Sequence, residues 1–175
     1  MMKTKRLVVA TLVTAFNLCT APAIHAAESV QVGFSPEGSA RTLVLNTIHS
    51  AQATIDMMAY TFSSTDIVQA LVEAEKRGVK VRAVIDYRRN QGKTSKKAVA
   101  YAIANGVNIR EDNHYNIQHD KMMVIDGETL ETGSFNFAAS AEFENSENVL
   151  VIKGNPQLLA RYQDHFNSRW IIAKN

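Results

Sequence analysis

Cysteine is nearly absent from this 175-residue chain, and the single one, Cys19, falls inside an N-terminal stretch that reads as a leader. The remainder then has no disulfide, no thiol nucleophile and no thiolate metal site, which suits an oxidising compartment. Net charge is scarce as well. Three of the 19 basic residues and none of the 17 acidic ones precede residue 27, so the rest carries 16 against 17, a formal net charge of −1. The overall excess of positive charge is therefore no argument for a polyanionic partner, which would have to meet a local patch. No second long apolar run, internal repeat or low-complexity linker follows the leader.

The leader has its own signature. Lys3, Lys5 and Arg6 precede an apolar run over residues 7–18, and small residues fit for cleavage after Ala26 follow. This is the pattern of a secretory signal peptide, short of the roughly 20 apolar residues a spanning helix needs. Phe16-Asn17-Leu18 lacks the small residue expected before a lipidated cysteine. Residues 1–26 are thus expected to be removed, the location to be periplasmic or secreted, and stable membrane insertion is not expected. Residues 27–175 are long enough for one domain with one core.

That domain alternates strand-like and helix-like segments. Strands are expected over residues 29–34, 53–60, 79–86, 107–110 and 147–152. Between them lie helical patterns carrying Ala40, Leu43, Val44 and Ile48, then Ile67, Ala70, Leu71 and Ala74, then residues 95–104. Ser63 and Asp66 resemble a capping box, Gly78 marks a helix end, and Asn155-Pro156 opens a last helix with Leu158, Leu159, Tyr162, Phe166 and Trp170. Repeated strand-helix-strand units predict an α/β sandwich with a mixed, mostly parallel β-sheet flanked by helices.

Chemistry concentrates in one place. His119-Asp120-Lys121 leads through Asp126-Gly127 to Gly133-Ser134-Phe135-Asn136, a collection of cationic and polar groups suited to a phosphate. Asp126-Gly127 is a strong signal for a two-residue hairpin turn. Such a turn pairs Ile125 with Glu128, Lys121 with Thr132 and His119 with Ser134, and directly opposed side chains share a face. Asp126 has the opposite strand parity to His119 and Lys121, so a structural task at the turn is expected of it.

The spacing of His119, Lys121, Asp126, Gly133, Ser134 and Asn136 resembles the signature of the phospholipase D superfamily, and the length and element order resemble its small bacterial endonucleases. The resemblance implies a phospholipase D-like sandwich and phosphodiester transfer in two in-line steps through a phosphohistidine. His119 would be nucleophile in one copy and proton donor in another, while Lys121 and Asn136 hold the non-bridging oxygens. It also implies independence from metal ions and any other cofactor. Since larger members carry two such motifs and this chain carries one, a two-fold homodimer is expected to complete the site. Asp126 joins the candidate set as part of the signature. Ser134 is a candidate for bonding phosphate or Asn136. An acidic residue that orients the histidine is placed at Glu147, with Glu142 and Glu144 as rivals.

For a polymer substrate, Arg88, Arg89, Lys93, Lys96 and Lys97 lie in a segment without an acidic residue and form a candidate track for a phosphate backbone, or else a solvated loop. Tyr60 and Phe62 offer base stacking, or core packing; His114 and Tyr115 offer a rim to the site. The leading expectation is a sequence-nonspecific endonuclease acting on DNA, with RNA as a further substrate. The rivals are a phospholipase D acting on lipid head groups, weakened by the lack of a recognisable lipid-binding helix or exposed apolar loop, and a non-catalytic nucleic-acid-binding protein.

Overall fold

Two strand-helix-strand units form the centre of the protein, because β-branched runs there alternate with amphipathic helices. The computed structural model describes residues 28–174, so the expected signal peptide and Cys19 lie outside the described residues. In order, the elements are β1 (Ser29–Ser35), α1 (Ser39–Ser50), β2 (Thr54–Ala59), α2 (Thr65–Lys76), β3 (Lys80–Asp86), α3 (Lys93–Ala104) and β4 (Asn108–Asp112). They continue with β5 (Lys121–Ile125), β6 (Thr129–Gly133), α4 (Ala139–Phe143), β7 (Glu147–Lys153) and α5 (Pro156–Ile172). Two helix starts follow from their caps. Ser64, one residue later than the expected Ser63, accepts a hydrogen bond from Ile67 N at the start of α2, and Asn155 Oδ1 accepts from Leu158 N at 3.0 Å ahead of Pro156.

The seven strands form one sheet in the order β1-β7-β6-β5-β2-β3-β4. It is mixed and flanked by helices on both faces, as expected, but mostly antiparallel: only the β2–β3 and β3–β4 pairs are parallel. The reason is the connections. Parallel neighbours need a crossover, usually a helix, and α2 and α3 supply two. β5 is reached through a helix-free loop and lies antiparallel to β2, after which β6 and β7 follow through short connections.

Both faces are covered across the centre of the sheet, so consecutive residues of the central strands are buried on opposite sides. Ile55, Met57, Ala59 and Met123 pack beneath α1, α2 and α3, whereas Met58, Val84, Met122, Val124 and Leu130 pack beneath Leu159 and Phe166 of α5. α5 packs across β2 to β6. Beyond it, Val30, Val32 and Phe34 of β1 stand 58%, 54% and 51% exposed, opposite Ile152, Leu150 and Asn148.

The hairpin turn forms with Asp126 and Gly127 both at positive φ (55° and 68°) and Glu128 N–H bonded to Ile125 C=O at 3.0 Å. Glu128 is nevertheless an extra residue. Ile125 pairs with Thr129 and Met122 with Thr132, one place later than expected. Continuing that register sets Lys121 opposite Gly133, and the predicted pairings of Lys121 with Thr132 and His119 with Ser134 do not form.

Candidate active site

The site lies at the end of the sheet where β2, β3 and β6 finish and β5 and β7 begin. Tyr60, directly after β2, is its platform: the His119 ring packs edge-on against it with centroids 4.5 Å apart, and the Lys121 ammonium lies 5.4 Å from its centroid. His119 is exposed and Lys121 half-buried. Lys121 Nζ donates to the His119 carbonyl at 2.7 Å, tying the two ends of the motif together. Burial holds the Lys121 ammonium below its ordinary pKa, against the opposing pull of the Asp120 and Glu147 charges.

Asn136 and Ser134 reach this end from the segment after β6. Asn136 Oδ1 is shut off from solvent without a hydrogen-bond partner among the described residues, which an isolated domain tolerates only at some cost. Ser134 Oγ donates to Glu147 Oε2 at 2.5 Å and accepts from Asn148 N at 3.0 Å. Its proton is thereby engaged by Glu147, whose other oxygen accepts from Asn145 Nδ2 at 3.0 Å. Glu147 therefore braces Ser134 and lends its charge to Lys121, and within one chain it makes no hydrogen bond to His119. Its rivals stand elsewhere. Glu142 is buried against Ser64 and Arg41, and Glu144 is exposed.

Gly133 permits this brace by close approach. A Cβ there would lie 2.1 Å from the Asn148 carbonyl oxygen, so only glycine lets β7 deliver Glu147 to the motif.

Asp126 belongs to the signature but not to this cluster. It sits at the far end of the hairpin, where its carboxylate accepts from the backbone N–H groups of Gln52, Ala53 and Thr54 at 2.8–2.9 Å. Burial pushes its carboxyl up, and these three donors outweigh it, holding the group below the usual carboxylate range. It pins the entrance of β2 to the turn, which removes it from the catalytic candidates.

The basic segment divides. Arg89 borders the platform, with Nε 3.1 Å from Thr61 Oγ1 and its guanidinium 5.7 Å from the Tyr60 centroid. Arg88 instead bonds Asn116 Oδ1 at 3.0 Å, and Lys93, Lys96 and Lys97 are exposed on α3. Phe62 is fully buried and packs in the core, while His114 is exposed with its ring against Tyr115. Tyr115 and Ile117 are 37% and 51% exposed, so an apolar loop does lead into the motif, contrary to expectation.

Sequence reasoning missed the polar clamp beneath the site. Buried Asp86 accepts from Arg89 N at 2.6 Å and Gln118 N at 2.9 Å, and buried Asn90 accepts from Phe62 N and donates to the carbonyls of Tyr60 and Asp86. These bonds fix the three loops that carry Tyr60, Arg89 and His119. Their only trace in the sequence is a polar residue ending an apolar strand. On the opposite face Asp120 meets Gln118 Nε2 at 3.1 Å and His165 Nε2 at 3.2 Å.

Comparison with known proteins identifies the family. Residues 44–170 match the family described as "Cardiolipin synthase, PLD-like domain". The chain is 35% identical over 140 residues to a "Phospholipase D" of Rickettsia conorii, covering 80% of this chain and 68% of that protein. A "Mitochondrial cardiolipin hydrolase" of Chlamydomonas reinhardtii is 32% identical over 74% of this chain and 57% of its own length. Among solved structures, Nuc from Salmonella typhimurium, a phospholipase D family member, superposes with a TM-score of 0.83 at 50% identity, over 85% of this chain and 97% of that one. The chain belongs to the phospholipase D superfamily and is a phosphodiester hydrolase of that family.

Proposed function

We propose that the protein is an exported, sequence-nonspecific endonuclease that cuts DNA, with RNA as a second substrate. It works without a metal ion or other cofactor, in an active site completed by a second copy of the chain. The observation that carries this reading is the company His119 keeps: an exposed imidazole beside a half-buried ammonium, with the Asn136 side chain at the same end of the sheet. Every group there addresses a phosphodiester, and none reads a base.

In the first step a neutral His119 attacks phosphorus. The bond to the leaving oxygen breaks as the partner's His119, protonated, supplies its proton. The partner's imidazole, now neutral, takes a proton from water, whose oxygen displaces His119 and frees the phosphate. Lys121 and the Asn136 amide hold the non-bridging oxygens as charge builds there. One copy holds one such set, and its other described histidines are engaged elsewhere. His49 faces Glu73, His165 meets Asp120 and His114 packs on Tyr115.

The bare apolar stripe of Val30, Val32 and Phe34 supports pairing of two copies. It ends at Phe34, opposite Asn148 and beside Glu147, and so reaches the end of the sheet that bears the site.

Supercoiled plasmid incubated with the mature protein in EDTA tests the reading. Nicking is expected in EDTA, to fall by about a thousandfold or more in His119→Ala, and to be lost with dimerisation in Val32→Asp. Nicking that needs a divalent metal, survives His119→Ala, or comes from a monomer sinks it. Phosphatidylcholine and cardiolipin run alongside, because the phospholipase D and cardiolipin hydrolase relatives and the exposed Tyr115 and Ile117 favour lipid as the second reading. Lipid turnover without nicking would select that one.

A further inference from the structure

The same face of the sheet that carries Lys121 also carries a cleft of about 570 Å³ between α2 and α3, lined in part by Ser63, Thr65, Lys93, Lys97 and Tyr101. Among the described residues, no carboxylate lines it. Lys93, Lys97 and Tyr101 follow one another at four-residue intervals, which on a helix stacks them along a single face. Both lysines are exposed and Tyr101 is 48% exposed, so two ammonium groups and an aromatic ring are presented in a row.

This row is joined to the catalytic end by backbone. Phe62 and Phe137 form a β-bridge, and Ser63 N and Ser64 N both donate to the Phe137 carbonyl, at 2.9 and 3.0 Å. Asn136 thus lies one bridged pair from the mouth of the cleft. The crossover geometry explains the alignment: α2 and α3 follow the carboxyl ends of parallel strands, so both helices start where the site is, and the groove between them opens onto it.

We infer that this cleft is a polymer subsite that holds a single strand of nucleic acid beside the scissile bond, with Lys93 and Lys97 on successive phosphates and Tyr101 stacked on an unpaired base. The inference rests on the nuclease reading above. The chemistry selects its occupant. Cations at regular spacing with an exposed ring match a charged backbone carrying π-faces, and stacking on a side chain requires a base that is free of its own stack.

The test compares a 20-nucleotide single strand with bis(p-nitrophenyl) phosphate, a diester too small to reach the cleft. In the double variant Lys97→Ala with Tyr101→Ala, the ratio of kcat/KM on the oligonucleotide to kcat/KM on the small diester is expected to fall at least tenfold through KM. The slope of log KM against log salt flattens by about 0.7, because one phosphate of the single strand is no longer neutralised by a lysine. Lys97→Arg with Tyr101→Phe restores the ratio. An unchanged ratio and slope, with the wild-type protein cutting the oligonucleotide, overturns the cleft and leaves the nuclease reading standing. Wild-type turnover of the small diester without any cutting of the oligonucleotide overturns both. A double variant that loses binding to cardiolipin vesicles while keeping its oligonucleotide KM also overturns the cleft as a nucleic-acid subsite.

Discussion

Replacing Glu131 by glutamine should change how the protein's stability depends on pH. Glu131 sits in the middle of β6 between Met123 and Val151, is fully buried, and among the described residues has no hydrogen-bond partner for either carboxylate oxygen. Burial pushes its carboxyl from 4.5 up to about 8, so it is folded in as the neutral acid. Below pH 4.5 the folded and unfolded chains both hold this proton and the site is neutral in the balance. Between 4.5 and 8 the unfolded chain releases it and the folded chain keeps it, so stability falls as pH rises, by about 1.4 kcal/mol per pH unit. The loss reaches about 3 kcal/mol at pH 7 and about 5 kcal/mol above pH 8, a large part of an ordinary domain's stability. Glu131→Gln keeps the shape and removes the titration. Urea unfolding followed through Trp170, the single tryptophan, stacked on Phe166 in the core, measures both proteins from pH 5 to pH 8. All other titrating groups are common to the two and cancel in the difference. The variant is expected to gain on the wild type by several kcal/mol across that range. A constant difference from pH 5 to pH 8 refutes the reasoning, whatever its sign.

Other substitutions probe the frame of the site. Gly133→Ala places a Cβ 2.1 Å from the Asn148 carbonyl oxygen, so β6 and β7 must separate; a loss of about 3 kcal/mol or more is expected by thermal unfolding. Asp126→Ala strips the acceptor from three backbone N–H groups and is expected to cost about 1–2 kcal/mol after allowance for solvent. Because the folded pKa of Asp126 is depressed, that stabilisation is present above the unfolded value near 3.8 and is lost as pH falls through the folded one. The two proteins should therefore converge in acid, with turnover per folded molecule at neutral pH unaffected.

Helices and strands were legible in the sequence wherever one stripe or one apolar run met a cap or a turn residue. Asn155-Pro156 and the stripe from Ile67 to Ala74 are the clearest cases. The direction of pairing was less so. A strand reads the same whichever way its neighbour runs, and only the missing helix before β5 hints at the reversal. Glu131 shows a second limit. Leu130-Glu131-Thr132 looks like a strand with one wet face, yet both faces of the sheet are covered and the carboxyl is taken inside. The motif residues His119, Lys121, Ser134 and Asn136 stood out because their spacing resembles the superfamily signature. Asp86 and Asn90 did not, because their role depends on three loops meeting at the end of the sheet and leaves no periodic mark, and Tyr60 stood out only as a stacking or core-packing ring.

The extra residue in the hairpin, Glu128, explains why the site has the shape it does. A two-residue turn would have set Thr132 opposite Lys121 and filled the space beside the ammonium with a branched side chain. With Glu128 inserted, the residue that falls opposite Lys121 is Gly133, which has no side chain to offer. That gap is used twice. On one side it leaves the Lys121 amine clear to approach a phosphate. On the other it lets β7 come close enough for Ser134 to bond both Glu147 and the Asn148 N–H, bringing a carboxylate to bear on Lys121. Asp126 holds the far end of the hairpin to the entrance of β2, its carboxylate accepting from three backbone N–H groups. The aspartate in the signature therefore serves the anchorage of the hairpin to β2 and not the chemistry itself.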